Sequence, residues 1–326
     1  MRLGVFAATL QELPLQQALD VIRDLGADVV DLATGGYGTK VHCDPAALLA
    51  RSDGPAVLRR AVEERGLAIG ALCCYGNPLH PNRDVALAHR RDLRDTIVLA
   101  GRLGLHKVVT FSGCPGDSGQ AAIPNWVTYP WPPEQVKLRQ WQWEHALLPF
   151  WASQAQFALE HGVTQLCLEM HAVNAVYNPE TLLELRRLVG DVIVACFNPG
   201  HLFWQGVDPV HAIRALGAAV GHVHITDTHA DPLNAPAHGL LDAKPFYYEH
   251  ERCWSWRTVG YGHGEETWRE MVVALRLAGY DDAIVVQHED TMLMPAAGLR
   301  RSLEMLGRAV VRAPLAVPEP PPVQAS

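Results

Sequence analysis

The sequence predicts an α/β fold of the (β/α)8 TIM-barrel type, and two patterns carry that prediction. Eight short apolar or β-branched runs alternate with stretches whose apolar residues recur at helical spacing. Gly26, Gly66, Gly104, Gly162, Gly190, Gly221 and Gly279 stand just ahead of strand runs, where a short helix-to-strand loop needs a left-handed cap. Eight such units in strict alternation close most naturally into a barrel, because right-handed crossovers between parallel strands leave few other topologies. The 326 residues would also suit two average domains, but α/β barrels use about 250 residues or more as one unit. Residues 1–312 are therefore read as a single domain.

The first four strand runs are Leu3–Ala7, Ala27–Leu32, Leu67–Cys74 and Lys107–Phe111; Leu15–Leu25 and Arg83–Leu103 between them read as amphipathic helices. The second half continues with Thr164–Met170, Val192–Phe197, His222–Thr226 and Ala283–Gln287. Two connections exceed what a barrel needs: Ser112 to about Lys137 after strand four, and Thr228 to Gly262 after strand seven. Both follow strands, so both belong at the C-terminal face where barrel active sites are built. The first carries Trp126, Tyr129 and Trp131, with Trp141 and Trp143 on the next helix; the second carries Tyr247, Tyr248, Trp254, Trp256 and Arg257. These rings suit a lid over a small ligand, or, with equal weight, the packing of long loops onto the barrel. The Pro-rich stretch 313–326 reads as an extended or disordered tail.

With 27 Lys and Arg against 35 Asp and Glu, the formal net charge is −8, which argues against a nucleic-acid surface. A hydrophobic content of 48% beside 19% charged residues fits a large buried core and excludes a mostly disordered chain. No run approaches the roughly 20 apolar residues of a membrane span, and the N-terminal segment lacks a signal-peptide core. A cytoplasmic protein without a membrane partner is expected. The cysteines are scattered without CxxC spacing, which favours buried reduced thiols over a disulfide scaffold or a cysteine zinc site. Neither GxGxxG nor a Walker A motif is present, so no nucleotide cofactor is expected.

Polar residues collect at four successive strand ends. Glu169 and His171 share one side of strand five by the period of two, Asn198 and His201 follow strand six, His222 and His224 lie on strand seven, and Gln287, His288 and Glu289 end strand eight. A lone histidine is more often a satisfied structural residue than a ligand, but Glu, Asn, His and Gln converging on one cavity reverse that prior. Arg257 and Lys244, in the loop after strand seven, are candidates for contact with an anionic or hydroxylated small-molecule substrate, with pairing to acidic loop residues an equal alternative. His171 and Trp131 are further candidates for substrate contact.

From Arg2 to about Arg312 the chain resembles the sugar phosphate isomerase/epimerase superfamily, the xylose isomerase-like TIM barrels that include ketose 3-epimerases and inosose-processing enzymes. The resemblance lies in TGGYGTKVHCDP (Thr34–Pro45), YPWPPEQ (Tyr129–Gln135), LEMHAVNAVYNPETL (Leu168–Leu182), NPGHLFWQGVDP (Asn198–Pro209), HVHITDT (His222–Thr228) and RTVGYGHG (Arg257–Gly264). It implies a divalent ion (Mn, Mg, Co or Zn) on Glu169, Asn198, His224 and Gln287. Two family carboxylates are amides here: NPGH stands where the family has DPSH, and VQHED where it has IEHED. Asp31 stands where strand two commonly ends in Glu. The ligand charge falls from about −3 to about −1, so metal affinity should fall. Three outcomes remain open: coordination through the amide carbonyls, an altered set of Glu169, His171, His201 and His224 suited to Zn, Co or Fe, or a polar network without metal.

Ketose 3-epimerases of this type resemble two-base enzymes, and Gln287 cannot act as a base. The resemblance leaves Glu169 as catalytic base and His201 as the residue that positions an oxygen or shuttles a proton. His288 is turned away by alternation if Gln287 faces inward, while Glu289 is a further candidate. The leading expectation is an isomerase or epimerase of a small polyhydroxylated carbonyl compound, working by metal-assisted enolisation. A lyase acting on a 3-oxo-glycoside, a tailoring enzyme of a specialised pathway, and a non-catalytic binding protein are the alternatives. The resemblance also makes a homodimer or tetramer plausible.

Overall fold

The structure, a computed structural model, describes residues 1–313; the predicted tail beyond residue 313 lies outside the described residues. Ten strands form in chain order: β1 (Arg2–Phe6), β2 (Val29–Gly36), β3 (Ala68–Tyr75), β4 (Lys107–Thr110), β5 (Gln165–Glu169), β6 (Ile193–Phe197), β7 (Val220–Ile225), β8 (Asp227–Ala230), β9 (Trp254–Arg257) and β10 (Ala283–Val286). Eight of them close into a barrel in the order β1-β10-β7-β6-β5-β4-β3-β2, every pair parallel. Such strands are covered on both faces, which is why β6 and β7 read as unbroken buried runs. One set of alternate residues, among them Val29, Ala71, Val109, Val194 and Val285, fills the barrel interior. The other set, with Val5, Val30, Leu72, Val108, Leu166 and Val223, packs outward against the helices.

The helices follow the predicted spacing. Leu15–Asp24 and Arg83–Arg102 both form, the latter capped by Asn82, whose side chain accepts from the backbone N–H of Asp84 and Val85. Six of the seven predicted cap glycines take positive φ. Gly221 does not: it lies within β7, where an added Cβ would meet Val194 Cγ2 at 2.3 Å, and the cap falls instead to Gly217 at φ 50°. The absence of a side chain at Gly221 serves the barrel interior rather than a turn.

At the N-terminal end, Lys107 of β4 is buried and reaches across the barrel. Its Nζ donates to Asp282 Oδ2 at 2.7 Å, just ahead of β10, and to the Gly221 carbonyl at 3.2 Å. At the C-terminal end the connection after β7 is not the plain loop that the sequence predicts. β8 and β9 pair antiparallel, with Asp227 opposite Arg257 and Ala230 opposite Trp254. The ribbon is anchored by Asp227 Oδ2, which accepts backbone N–H bonds from Gly260, Gly262 and His263 at 3.0, 3.0 and 3.1 Å. All seven cysteines are buried free thiols. Among the described residues no helix is long and apolar enough to cross a membrane.

Candidate active site at the C-terminal end of the barrel

Five strand ends bring Tyr75 (β3), Glu169 (β5), Asn198 (after β6), His224 (β7) and Gln287 (after β10) into one buried cluster. Glu169 is its centre, 2% exposed. Its Oε1 accepts from Asn198 Nδ2 at 3.0 Å and lies 3.1 Å from His201 Nε2; its Oε2 accepts from the Tyr75 hydroxyl at 2.5 Å. Burial alone would raise this carboxyl, but the hydrogen bond from His201 leads the opposing interactions and holds it well below the ordinary glutamate range. Glu169 is therefore an anion at neutral pH.

Beneath the cluster, Asp31 Oδ2 lies 2.6 Å from His222 Nε2 and 2.9 Å from His224 Nε2, while Asp31 Oδ1 accepts from the Ala71 N–H at 2.8 Å. Gly70 makes room for this carboxylate, since a Cβ there would stand 2.4 Å from Asp31 Oδ1. Burial opposes the Asp31 charge, but His222 and His224 outweigh it and keep the carboxyl below its ordinary value. Sequence reading places Asp31 as a shortened carboxylate at the end of strand two. The structure corrects this: β2 runs five residues further, and Asp31 orients the two histidines from below.

The orientation of Asn198 is fixed by its neighbours. Its Oδ1 accepts from the backbone N–H of Gly200 and Thr226, each at 3.2 Å, and from Thr226 Oγ1 at 2.7 Å, so its NH₂ faces Glu169 and Gln287. Gln287 must then turn Oε1 to Asn198 Nδ2, 3.4 Å away, and Nε2 to His224 Nδ1 at 2.8 Å. His224 Nε2 is directed at Asp31 Oδ2, while its Nδ1 lies 2.8 Å from Gln287 Nε2, 2.9 Å from the Tyr75 hydroxyl and 3.2 Å from Glu169 Oε2.

This arrangement decides how the residues suit a divalent ion. Glu169, Asn198, His224 and Gln287 are brought together, but Asn198 and Gln287, expected as carbonyl ligands, present NH₂ groups to the cluster, and both nitrogens of His224 are engaged. A cation repels such donors. The alternative set does not converge either: His171 Nδ1 lies 2.6 Å from the Ala172 carbonyl, and its ring packs on His201 and Phe111 at centroid distances of 4.2 and 4.8 Å. Two triplets, Asp31–His222–His224 and Glu169–Cys196–His224, gather ligand-type atoms within 4.8 Å. The first is internally hydrogen-bonded; in the second, burial pushes the Cys196 thiol up to about 11, which keeps it a poor ligand at neutral pH. The ligand ring that the resemblance implies is thus not formed as a cation cage.

Above the cluster opens a cavity of about 630 Å³ lined by His171, His201, Trp126, Trp204, Trp254 and Trp256. His201, 7% exposed, stands between this cavity and Glu169. Burial, with His201 beside it, brings His171 down to about 4, so that ring is neutral. Trp204 and Trp254 stack at 5.3 Å, and Trp256 meets His201 edge-on at 5.2 Å.

The remaining predicted contact residues divide. Lys244 lines the cavity, but its Nζ is paired with Asp242 Oδ1 at 3.0 Å. Arg257 lies outside the lining, tied to Glu249 and 3.9 Å from Asp290 Oδ1. Trp131, 67% exposed, does not line the cavity. His288 is turned away and packs on Gly298, while Glu289 lines a neighbouring crevice beside Trp256. Sequence reading missed Tyr75 and Trp204. The signal for Tyr75 was present, because alternation along CCY puts Tyr75 on the side of Cys73, and Cys73 belongs to the barrel interior.

Eight parallel strands with a polar cluster at their C-terminal ends make a TIM barrel with a candidate active site, and residues 19–309 match the family model for the xylose isomerase-like TIM barrel. The chain belongs to that family. It is 34% identical over 312 residues to YfiH of Bacillus subtilis (strain 168), an alignment covering 95% of this chain and 99% of that protein. Among solved structures, an L-ribulose 3-epimerase superposes with TM-score 0.62 at 18% identity, covering 95% of this chain and 94% of its own. The IolI protein, crystallised with a zinc atom, superposes with TM-score 0.64 at 16% identity, covering 95% and 99%.

Proposed function

We propose that the protein moves a proton at the carbon beside a carbonyl group in a small polyhydroxylated compound, as an isomerase or epimerase does. The observation that carries this reading is the Glu169–His201 pair: a buried carboxylate held ionised, 3.1 Å from a histidine that lines the cavity. This reading moves the base from Glu169, where the resemblance puts it, to His201, because Glu169 is buried behind that ring with both oxygens engaged: the histidine meets the substrate while the carboxylate fixes its tautomer and stabilises the cation that forms. The substrate C–H proton passes to the second nitrogen of His201, leaving an enediolate. With the hydroxyl proton passing to the former carbonyl oxygen, return of the abstracted proton from His201 to the neighbouring carbon completes an isomerisation; an epimerisation instead takes a solvent proton on the opposite face of the same carbon while His201 releases its own to water. Atoms balance and no redox partner is needed. The ketose 3-epimerase neighbours support a substrate of the sugar class, and no step in this reading passes through a metal ion.

The aromatic cavity favours a second reaction from the same intermediate. Trp126, Trp204 and Trp254 line it, and their indole N–H groups have no partner among the described residues. Buried donors are ordinarily paired, and the hydroxyls of a ring-bearing sugar derivative supply acceptors. With a 3-oxo-glycoside, loss of the proton beside the ketone is followed by departure of the alkoxy group one carbon further on, and His201 returns its proton to that oxygen.

The test is proton exchange in D₂O, followed by NMR with ketoses, inososes and 3-oxo-glycosides. Deuterium should enter at the carbon beside the carbonyl for one of these classes, and Glu169→Gln should slow its entry by about 10²- to 10⁴-fold. Undiminished exchange in that variant would sink the assignment.

A further inference from the structure

We propose that the hydroxyl of Tyr75 occupies the point on which the strand-end residues converge, so that this ring is held together by a phenolic proton and two amides rather than by a divalent cation. Tyr75 Oη lies 2.5 Å from Glu169 Oε2, 2.9 Å from His224 Nδ1 and 3.3 Å from Gln287 Nε2. These are three of the four residues that the resemblance names as ligands. A cation bound by them would need to come within about 2.0–2.6 Å of each donor, which is the space the phenol oxygen fills.

The phenol is not free to step aside. It ends β3, is buried, and its ring is wedged between Phe6 (5.9 Å, edge-on) and Phe111 (4.6 Å). Three residues change the ring's chemistry in one direction. Asn198 and Gln287 take away two negative charges and supply N–H donors, and Tyr75 supplies an O–H donor. Together with His201 they leave Glu169 as the ring's one carboxylate, with hydrogen-bond partners on both of its oxygens. A buried anion so surrounded is satisfied without a metal. Burial first, and the Glu169 charge second, push the Tyr75 phenol well above its ordinary value, so it stays a donor instead of becoming a phenolate ligand.

The experiment needs no substrate, so its outcome is separate from that of the proposed reaction. Protein purified without a metal-affinity tag is analysed by elemental mass spectrometry and by thermal unfolding with Mn²⁺, Co²⁺, Zn²⁺ or Mg²⁺, each with and without chelator. The wild type should carry far less than one equivalent of metal and show no chelator-sensitive shift in Tm. The triple variant Tyr75→Phe, Asn198→Asp, Gln287→Glu should gain about one equivalent and a rise in Tm that chelator reverses. Near-stoichiometric metal in the wild type would overturn the proposal. Crystals of the wild type soaked in Mn²⁺ give a second reading that does not depend on any variant folding. An anomalous peak within bonding distance of Glu169 and His224 overturns the proposal, and its absence there supports it.

Discussion

A methyl group added at position 200 would meet Thr226 Oγ1 at 2.0 Å and Trp256 Cζ3 at 2.9 Å. Gly200 sits in the short helix Pro199–Phe203, and its N–H helps to hold Asn198. Helix propensity alone gives Gly→Ala a gain of about 1 kcal/mol, whereas overpacking a filled core costs about 1–3 kcal/mol. The clash wins because Thr226 is buried and fixes the Asn198 amide, with the half-buried Trp256 ring closing the other side. Gly200→Ala should therefore lower stability by about 1–2 kcal/mol in urea unfolding and reduce deuterium exchange in the same variant. A stabilised, fully active Gly200→Ala protein would contradict the packing argument. The same contact explains why NPGH replaces a serine-containing motif: no side chain fits beneath Trp256.

At the scale of elements, the β8–β9 ribbon turns a long connection into a wall of the cavity. Trp254 and Trp256 project from one face of β9, two residues apart, and Trp204 from the helix after β6 stacks on the first of them. A Trp ring removed from such a wall takes with it a large apolar contact and an indole donor. Trp254→Ala should weaken ligand binding by at least tenfold, about 1.4 kcal/mol, while kcat changes much less, because Trp254 does not touch Glu169 or His201. Affinity by calorimetry beside steady-state kinetics separates the two; an unchanged Kd would mean that the ligand binds elsewhere. The ribbon was hard to read from sequence for a physical reason. Its strands are four residues each and separated by a long insertion, so their pairing is non-local and marked by no tight turn.

At the scale of the whole molecule, the barrel was legible because each of its eight units repeats the same local pattern. The membership of the cluster was legible in part: polar residues at four successive strand ends are visible in the sequence, and the family resemblance singles out Glu169, Asn198, His224 and Gln287 among them. What was not legible is direction. The amide of Asn198 is aimed by Thr226, the residue just after β7, and Gln287 takes its orientation from Asn198, so tertiary contact decides which atom each side chain presents.

Stability against acid belongs to this scale as well. Asp282 is held below the ordinary aspartate range because its ion pair with Lys107 outweighs burial, with Arg2 assisting. A carboxyl whose pKa is lower in the folded than in the unfolded chain adds stability that is present above about pH 4 and lost as pH falls further. Asp282→Asn should cost about 2 kcal/mol at pH 7, below the 3–5 kcal/mol of wholly buried pairs because Asp282 is partly exposed. The loss should shrink as pH falls towards 3, as read from urea midpoints; an equal loss at both pH values would contradict the ion-pair account.

The internal partnerships share one further property. Lys107 stands on the fourth barrel strand and Asp282 just ahead of the eighth; Asp31 answers to His222 and His224, and Tyr75 to Glu169, across the same midpoint of the chain. Each of these couples has one member in either half of the chain. Although the fold repeats a βα unit eight times, this barrel is indivisible at its midpoint, and an isolated half would enclose unanswered charge where the intact barrel has a matched couple.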